Sequence, residues 1–113
     1  RAACCRPREG AAVYLVFVNY IKPEEQVAPV RRAHYEFADR HFSSGEFVLG
    51  GRRSPGDGGF ILVRALGRDR VQEIMSQDPY LEAEVAEHEL IELQPARVQP
   101  AIADYLELSE LVK

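Results

Sequence analysis

An α+β fold with the element order βαββαβ is what this chain of 113 residues predicts. Three observations carry it. Four short runs of β-branched and aromatic residues are separated by turn residues. Two stretches of helical periodicity fall between the first and second runs and between the third and fourth. The first and third runs are the most uniformly apolar, as the central strands of a sheet are.

The first strand is Val13 to Tyr20, Val-Tyr-Leu-Val-Phe-Val-Asn-Tyr, apolar on both alternating faces and so suited to burial on both sides. After Pro23 a helix begins near Glu24. It carries Val27, Val30, His34, Phe37, Ala38 and His41 on one face, at i, i+3, i+4, i+7 spacing, and ends around Ser43 to Gly45. Phe47 to Leu49 and Phe60 to Ala65 read as the second and third strands, with the turn-rich Gly50 to Gly59 as a long, flexible, partly basic hairpin loop. A second helix runs from about Asp69 through Met75 with Val71, Ile74 and Met75 inward, and Asp78-Pro79 starts a further helical turn to about Val85. Glu87 to Leu93 is the fourth strand, stopped by Pro95.

Right-handed crossovers turn this order into a ferredoxin-like sheet with the first and third strands in the centre and both helices on one face. The other face is left apolar, and a second copy of the chain is its expected cover, giving a face-to-face homodimer. Beyond Pro100, Ala101 to Lys113 reads as an added amphipathic C-terminal helix with Ile102, Tyr105, Leu106 and Val112 on one side, packed on its own domain or clasping the partner. The expected organisation is a disordered or leader-like tail over 1–12, a ferredoxin-like domain over 13–95, and the C-terminal helix over 96–113. The tail shows no periodicity and lacks an initiating methionine, and its adjacent Cys4 and Cys5 cannot staple a fold or offer spaced metal ligands.

Composition excludes several classes. With 46% hydrophobic and 28% charged residues the chain can bury a core and does not read as disordered. A net charge of −4, with arginines scattered apart from Arg31-Arg32 and Arg52-Arg53, argues against nucleic acid or anionic membrane as the main partner. No apolar run approaches the roughly 20 residues that cross a bilayer, so the expected location is cytoplasmic. There is no nucleophile elbow, dinucleotide fingerprint or phosphate loop. What remains is cofactor-free acid–base chemistry or plain binding of a small molecule.

The candidate residues each carry two readings. His34 lies on the buried stripe of the first helix and is either a general acid or base or a structural histidine satisfied by the backbone. Asp78, before proline, is either an N-cap or the partner that orients His34, and one carboxylate can serve both. Arg31, one turn before His34, either binds a substrate anion or is solvated. Arg52 and Ser54, with Arg53 in the glycine-rich hairpin, either close over an anionic ligand or form an ordinary turn. Tyr14, Tyr20 and Tyr80 either line a pocket or fill the core, and Tyr80 stands out because it follows Asp78-Pro79. His41 and His88 could join His34 on zinc only without any recognised ligand spacing, so no metal is expected.

Arg31-Arg32-Ala33-His34 on the first helix, Asp57-Gly58-Gly59-Phe60-Ile61-Leu62 entering the third strand, and Asp78-Pro79-Tyr80 after the second helix together resemble the YciI-like (YCII-related) family over about Val13 to Pro95. The resemblance implies a dimeric α+β barrel with a small pocket between helices and sheet, where a histidine and an aspartate face each other. By position these are His34 and Asp78. It also implies acid–base elimination, of lyase or isomerase type, on a small cyclic or aromatic anionic substrate without metal or organic cofactor. The chain departs from the family where Gly50-Gly51-Arg52 stands in place of a frequent Gly-Pro. The alternative is a non-catalytic small-molecule-binding or interaction module in which His34 is structural.

Overall fold

Both faces of the sheet take part in packing, and the residues that alternate along β1 (Val13–Tyr20) show how. In this computed structural model, which describes residues 13–54, 56–64 and 66–111, the four strands lie in the order β2-β3-β1-β4, with every neighbouring pair antiparallel. The other strands are β2 (Phe47–Arg52), β3 (Gly58–Val63) and β4 (Ala86–Leu93). The two strands predicted as central are central.

Between β1 and β2 come α1 (Glu24–Val27), a 3-10 turn (Ala28–Val30) and α2 (Arg31–Ser43). The continuous helix read from the sequence is therefore broken at Ala28–Val30. Pro29 is the cause, since it has no N–H to donate and its ring collides with the carbonyl four residues before it. Between β3 and β4 come α3 (Arg68–Met75) and α4 (Pro79–Glu82). The helices cover one face of the sheet, where Val16, Val18, Phe37, Phe47, Val63, Val71, Ile74 and Met75 are buried in one core cluster.

The hairpin is shorter than its glycines suggest. β2 continues through Gly50 and Gly51 to Arg52 and pairs with β3 from Gly59 onward, so the loop is confined to 53–57. A bulge between Phe47 and Leu49 lets β2 keep its pairing with β3 as the register shifts.

The C-terminal helix is present but is one turn long. It is α5 (Pro100–Ala103), followed by turns and a 3-10 turn at Ser109–Leu111. The reason lies in Leu106 and Leu108, which would point to opposite sides of a continuous helix. Glu107 instead adopts a left-handed φ of 59°, and both leucines turn inward onto Val13, Leu62, Leu93 and Val98. The segment thus packs on its own domain, over one end of the sheet face opposite the helices. Tyr105 Oη ties it down by donating to the carbonyl of Gly45. On the rest of that face Leu15, Phe17, Phe60 and Ile91 are half-buried and Leu49 is exposed. The tail over 1–12 with its two cysteines, Ala65 at the expected end of the third strand, and Val112 lie outside the described residues.

Candidate functional site

The turn between α3 and α4 delivers Asp78. Its backbone is extended, as a residue before proline must be, and its side chain caps α4 by accepting from the Tyr80 N–H at 2.9 Å through Oδ1. The same oxygen accepts from His34 Nδ1 of α2 at 2.8 Å. The other oxygen, Oδ2, accepts from His88 Nε2 of β4 at 2.8 Å. The carboxylate is wholly buried and is bridged by two imidazoles, one from a helix and one from an edge strand.

Burial by itself raises a carboxyl pKa, but the hydrogen bonds from His34 and His88, the attraction of His34 and the Tyr80 N–H outweigh it and hold Asp78 down at about 2. An ionised carboxylate only accepts, so each histidine donates to it. In its neutral form His34 then has its hydrogen on Nδ1 and a lone pair on Nε2. That is the tautomer a general base needs.

The His34 ring is stacked on Tyr80, with centroids 4.1 Å apart and planes 10° from parallel. Tyr20 meets Tyr80 edge-on at 5.7 Å. Burial pushes the Tyr80 phenol up, and the nearby Arg31 guanidinium offsets only part of the rise. Tyr80 is therefore a neutral phenol at ordinary pH.

His34, Tyr20 and Tyr80 line a cleft of about 230 Å³ between α2 and the sheet, completed by Tyr35, Ala38, Asp39 and Phe42 on the helix side and by Gly50, Arg52, Gly59 and Ile61 on the sheet side. It is small beside drug-sized pockets of roughly 300–1,000 Å³. Part of the hollow is due to Gly50, a strand position facing α2 that lacks a side chain, whereas Gly59 admits the close approach of the β2 backbone. A Cβ on Gly50 would sit 3.2 Å from the Phe60 carbonyl and 3.3 Å from the Phe42 ring, and one on Gly59 would lie 2.6 Å from the Gly51 carbonyl.

His34, Asp78 and Tyr80 are thus brought together, with Arg52 on the same cleft. Two expected substrate ligands are placed elsewhere. Arg31 spends its fork on Glu24, with Nη1 at 2.7 Å and Nη2 at 3.0 Å, and its Nε reaches the Tyr80 hydroxyl at 3.3 Å, so it braces Tyr80 from outside the cleft. Ser54 is exposed in the turn beyond the ends of β2 and β3 and does not reach the cleft, because those strands run further than the glycines suggested. Tyr14 points to the helix-side core and donates to Glu92 at 3.0 Å.

His88 is the residue that sequence reasoning missed as a partner of Asp78. Its signal was the alternation Glu87-His88-Glu89, in which exposed acids flank a side chain that must face the helices beside Val18. Among the described residues no group of three or more His, Cys, Asp or Glu side chains is arranged to hold a metal, and no helix is long and apolar enough to cross a membrane.

The YCII-related domain model matches residues 12–94. No curated protein sequence matches the chain. Among solved structures, the chain is similar to 5-chloro-2-hydroxyhydroquinone dehydrochlorinase (TftG) from Burkholderia phenoliruptrix AC1100, in complex with 2,5-dihydroxybenzoquinone. That likeness has a TM-score of 0.59 at 15% identity over 76% of this chain and 95% of the other. A mutant of SnoaB, a cofactor-independent oxygenase from Streptomyces nogalater, matches at a TM-score of 0.44 and 12% identity over 79% of this chain and 96% of the other. The first of these likenesses shows a shared fold.

Proposed function

This chain belongs to the YCII-related family, and from that premise we propose that it is a small cofactor-free enzyme using His34 and Asp78 as an acid–base pair on a cyclic or aromatic anionic substrate. The observation that carries the reading is the 2.8 Å contact between His34 Nδ1 and an ionised, buried Asp78, which frees Nε2 on a residue that lines a cleft.

In the proposed reaction, of lyase or isomerase type, His34 Nε2 takes a proton from a ring hydroxyl or an acidic ring C–H. Asp78 stabilises the imidazolium that results without taking the proton itself. The negative charge that develops on the ring oxygen is met by Arg52 at the cleft wall. The electron pair either expels a leaving group from the ring or returns to a different ring carbon with the proton that His34 gives back. The aromatic walls formed by Tyr20, Tyr35, Phe42 and Tyr80 favour a flat ligand.

The working assembly in this proposal is a homodimer, with the second copy on the sheet face opposite the helices. That face carries apolar Leu15, Phe17, Phe60 and Ile91, Glu87 and Glu89 along β4, and Arg53 laid over the Phe17 ring at 4.5 Å.

The test is a panel of hydroxylated benzenes and benzoquinones, chlorinated and not, including 5-chloro-2-hydroxyhydroquinone, with 2,5-dihydroxybenzoquinone as a binding probe. We expect turnover of at least one member, falling at least ~100-fold in His34→Ala while the variant remains folded. Unchanged turnover in His34→Ala would overturn the reading. Binding of the probe by the wild type with no turnover of any member of the panel would establish the non-catalytic module, a role that the helix-capping bond of Asp78 to Tyr80 N–H also suits.

A further inference from the structure

We propose that His88 is a positioning residue of this site: by donating Nε2–H to Asp78 Oδ2 it locks the carboxylate so that Oδ1 stays on His34 Nδ1, and thereby sets the tautomer of His34. Its catalytic meaning rests on the reading of His34 as the base, but its structural content does not.

Asp78 has no exposed surface, so water does not satisfy its oxygens. Oδ1 is held by two donors, His34 Nδ1 at 2.8 Å and the Tyr80 N–H at 2.9 Å, whereas Oδ2 is held by His88 at 2.8 Å. A carboxylate pinned at only one oxygen turns about its Cβ–Cγ bond or takes up a proton at the other. Either response weakens the acceptor facing His34 Nδ1 and lets the imidazole relax to the Nε2–H tautomer that free histidine prefers. In that state His34 has no lone pair to offer at Nε2.

His88 is placed for this and for no direct contact with a ligand. It projects from β4 opposite Val18 of β1, its side chain is 7% exposed, and it does not line the cleft. Its neighbours Glu87 and Glu89 belong to the opposite face of the sheet by strand alternation. The position also has a rigidity a loop donor lacks, because β4 is paired with β1 along its whole length from Ala86 to Leu93.

The experiment is long-range 1H–15N NMR of the imidazoles in the full chain, at a pH where they are neutral, for wild type, His88→Gln and His88→Leu. The expected wild-type pattern is Nδ1–H for His34 and Nε2–H for His88. Glutamine keeps an N–H donor at similar reach, so His88→Gln should retain the His34 pattern. In His88→Leu the Nδ1–H population of His34 should fall at least several-fold.

An unchanged His34 tautomer in His88→Leu would sink the proposal. So would a wild-type His88 protonated on Nδ1, a result that needs no variant to fold. Turnover on the hydroxybenzene panel separates this inference from the enzyme reading. A tautomer that follows His88 supports the positioning role even if no substrate is turned over. A fall in kcat at constant KM in His88→Leu, recovered in His88→Gln, ties that role to catalysis.

Discussion

His34 and Tyr80 lie ring on ring, 4.1 Å between centroids and 10° from parallel, while the backbone N–H of Tyr80 and the Nδ1 of His34 share one oxygen of Asp78. The residue that caps α4 is therefore the residue that holds the imidazole. The local fold and the acid–base geometry have the same anchor.

Replacing Asp78 by asparagine tests that anchor. The amide presents an N–H to one of two histidine donors, and the charge that favours the His34 imidazolium is lost. Turnover should fall at least ~100-fold and stability by roughly 1–3 kcal/mol, read by steady-state kinetics and urea melts on the same preparation. Full activity with an unchanged melt would show that the carboxylate is dispensable.

Acid should weaken the fold in a defined window. Burial acts to raise the Asp78 carboxyl, and its histidine partners override this to hold it near 2, against an ordinary 3.8. Glu46 is likewise near 2, against an ordinary 4.5: burial opposes the shift, and His41, Arg70 and Ser44 drive it. Both folded-state values are depressed, so their stabilisation is complete above the unfolded-state values and is lost as pH falls from about 4.5 through about 2. For Asp78 this amounts to about 2 kcal/mol. Chemical denaturation at stepped pH should show the loss in that range, and Asp78→Asn should flatten the part of the slope due to Asp78.

Filling the glycine hollow should block the cleft and spare the charges. A side chain at Gly50 points between the Phe60 carbonyl and the Phe42 ring. Gly50→Val should weaken binding of 2,5-dihydroxybenzoquinone at least ~10-fold, with the His34–Asp78 contact intact by NMR. Binding at wild-type strength would place the ligand elsewhere.

The sheet face opposite the helices carries the dimer prediction. Phe17→Glu puts a buried charge into the proposed interface, next to Glu89 in register on β4. Sedimentation should show a dimer for the wild type and a monomer for the variant. A monomeric wild type would leave this face without the second copy.

How much of this was legible in the sequence depended on whether a side chain's role is local. The alternation of Val13 to Tyr20 reveals a central strand because both its faces are packed, and the i, i+3, i+7 spacing of Val27, Val30, His34 and Phe37 places His34 on the inner side of its helix. Gly50 and Gly51 read as loop because glycine is a poor strand former. They are strand residues because their backbones pair with Ile61 and Phe60 of β3, and Gly50 alone of the two presents its bare side to the cleft. The alternation Glu87-His88-Glu89 marks His88 as facing inward, but not its partner: only the β1–β4 register, with Val18 opposite His88, brings the strand to the turn that holds Asp78. The left-handed Glu107 that ends the C-terminal helix early is a conformation few non-glycine residues adopt, and nothing nearby in the sequence marks it.

The cleft draws its two kinds of property from different elements. The His34 imidazole comes from a helix and is held through Asp78 by a capping turn and an edge strand, whereas the facing wall is built from β2 and β3 and is bare at Gly50. In the proposed enzyme, the space for a ligand can therefore be changed at Gly50 while the His34–Asp78–His88 cluster stays as it is.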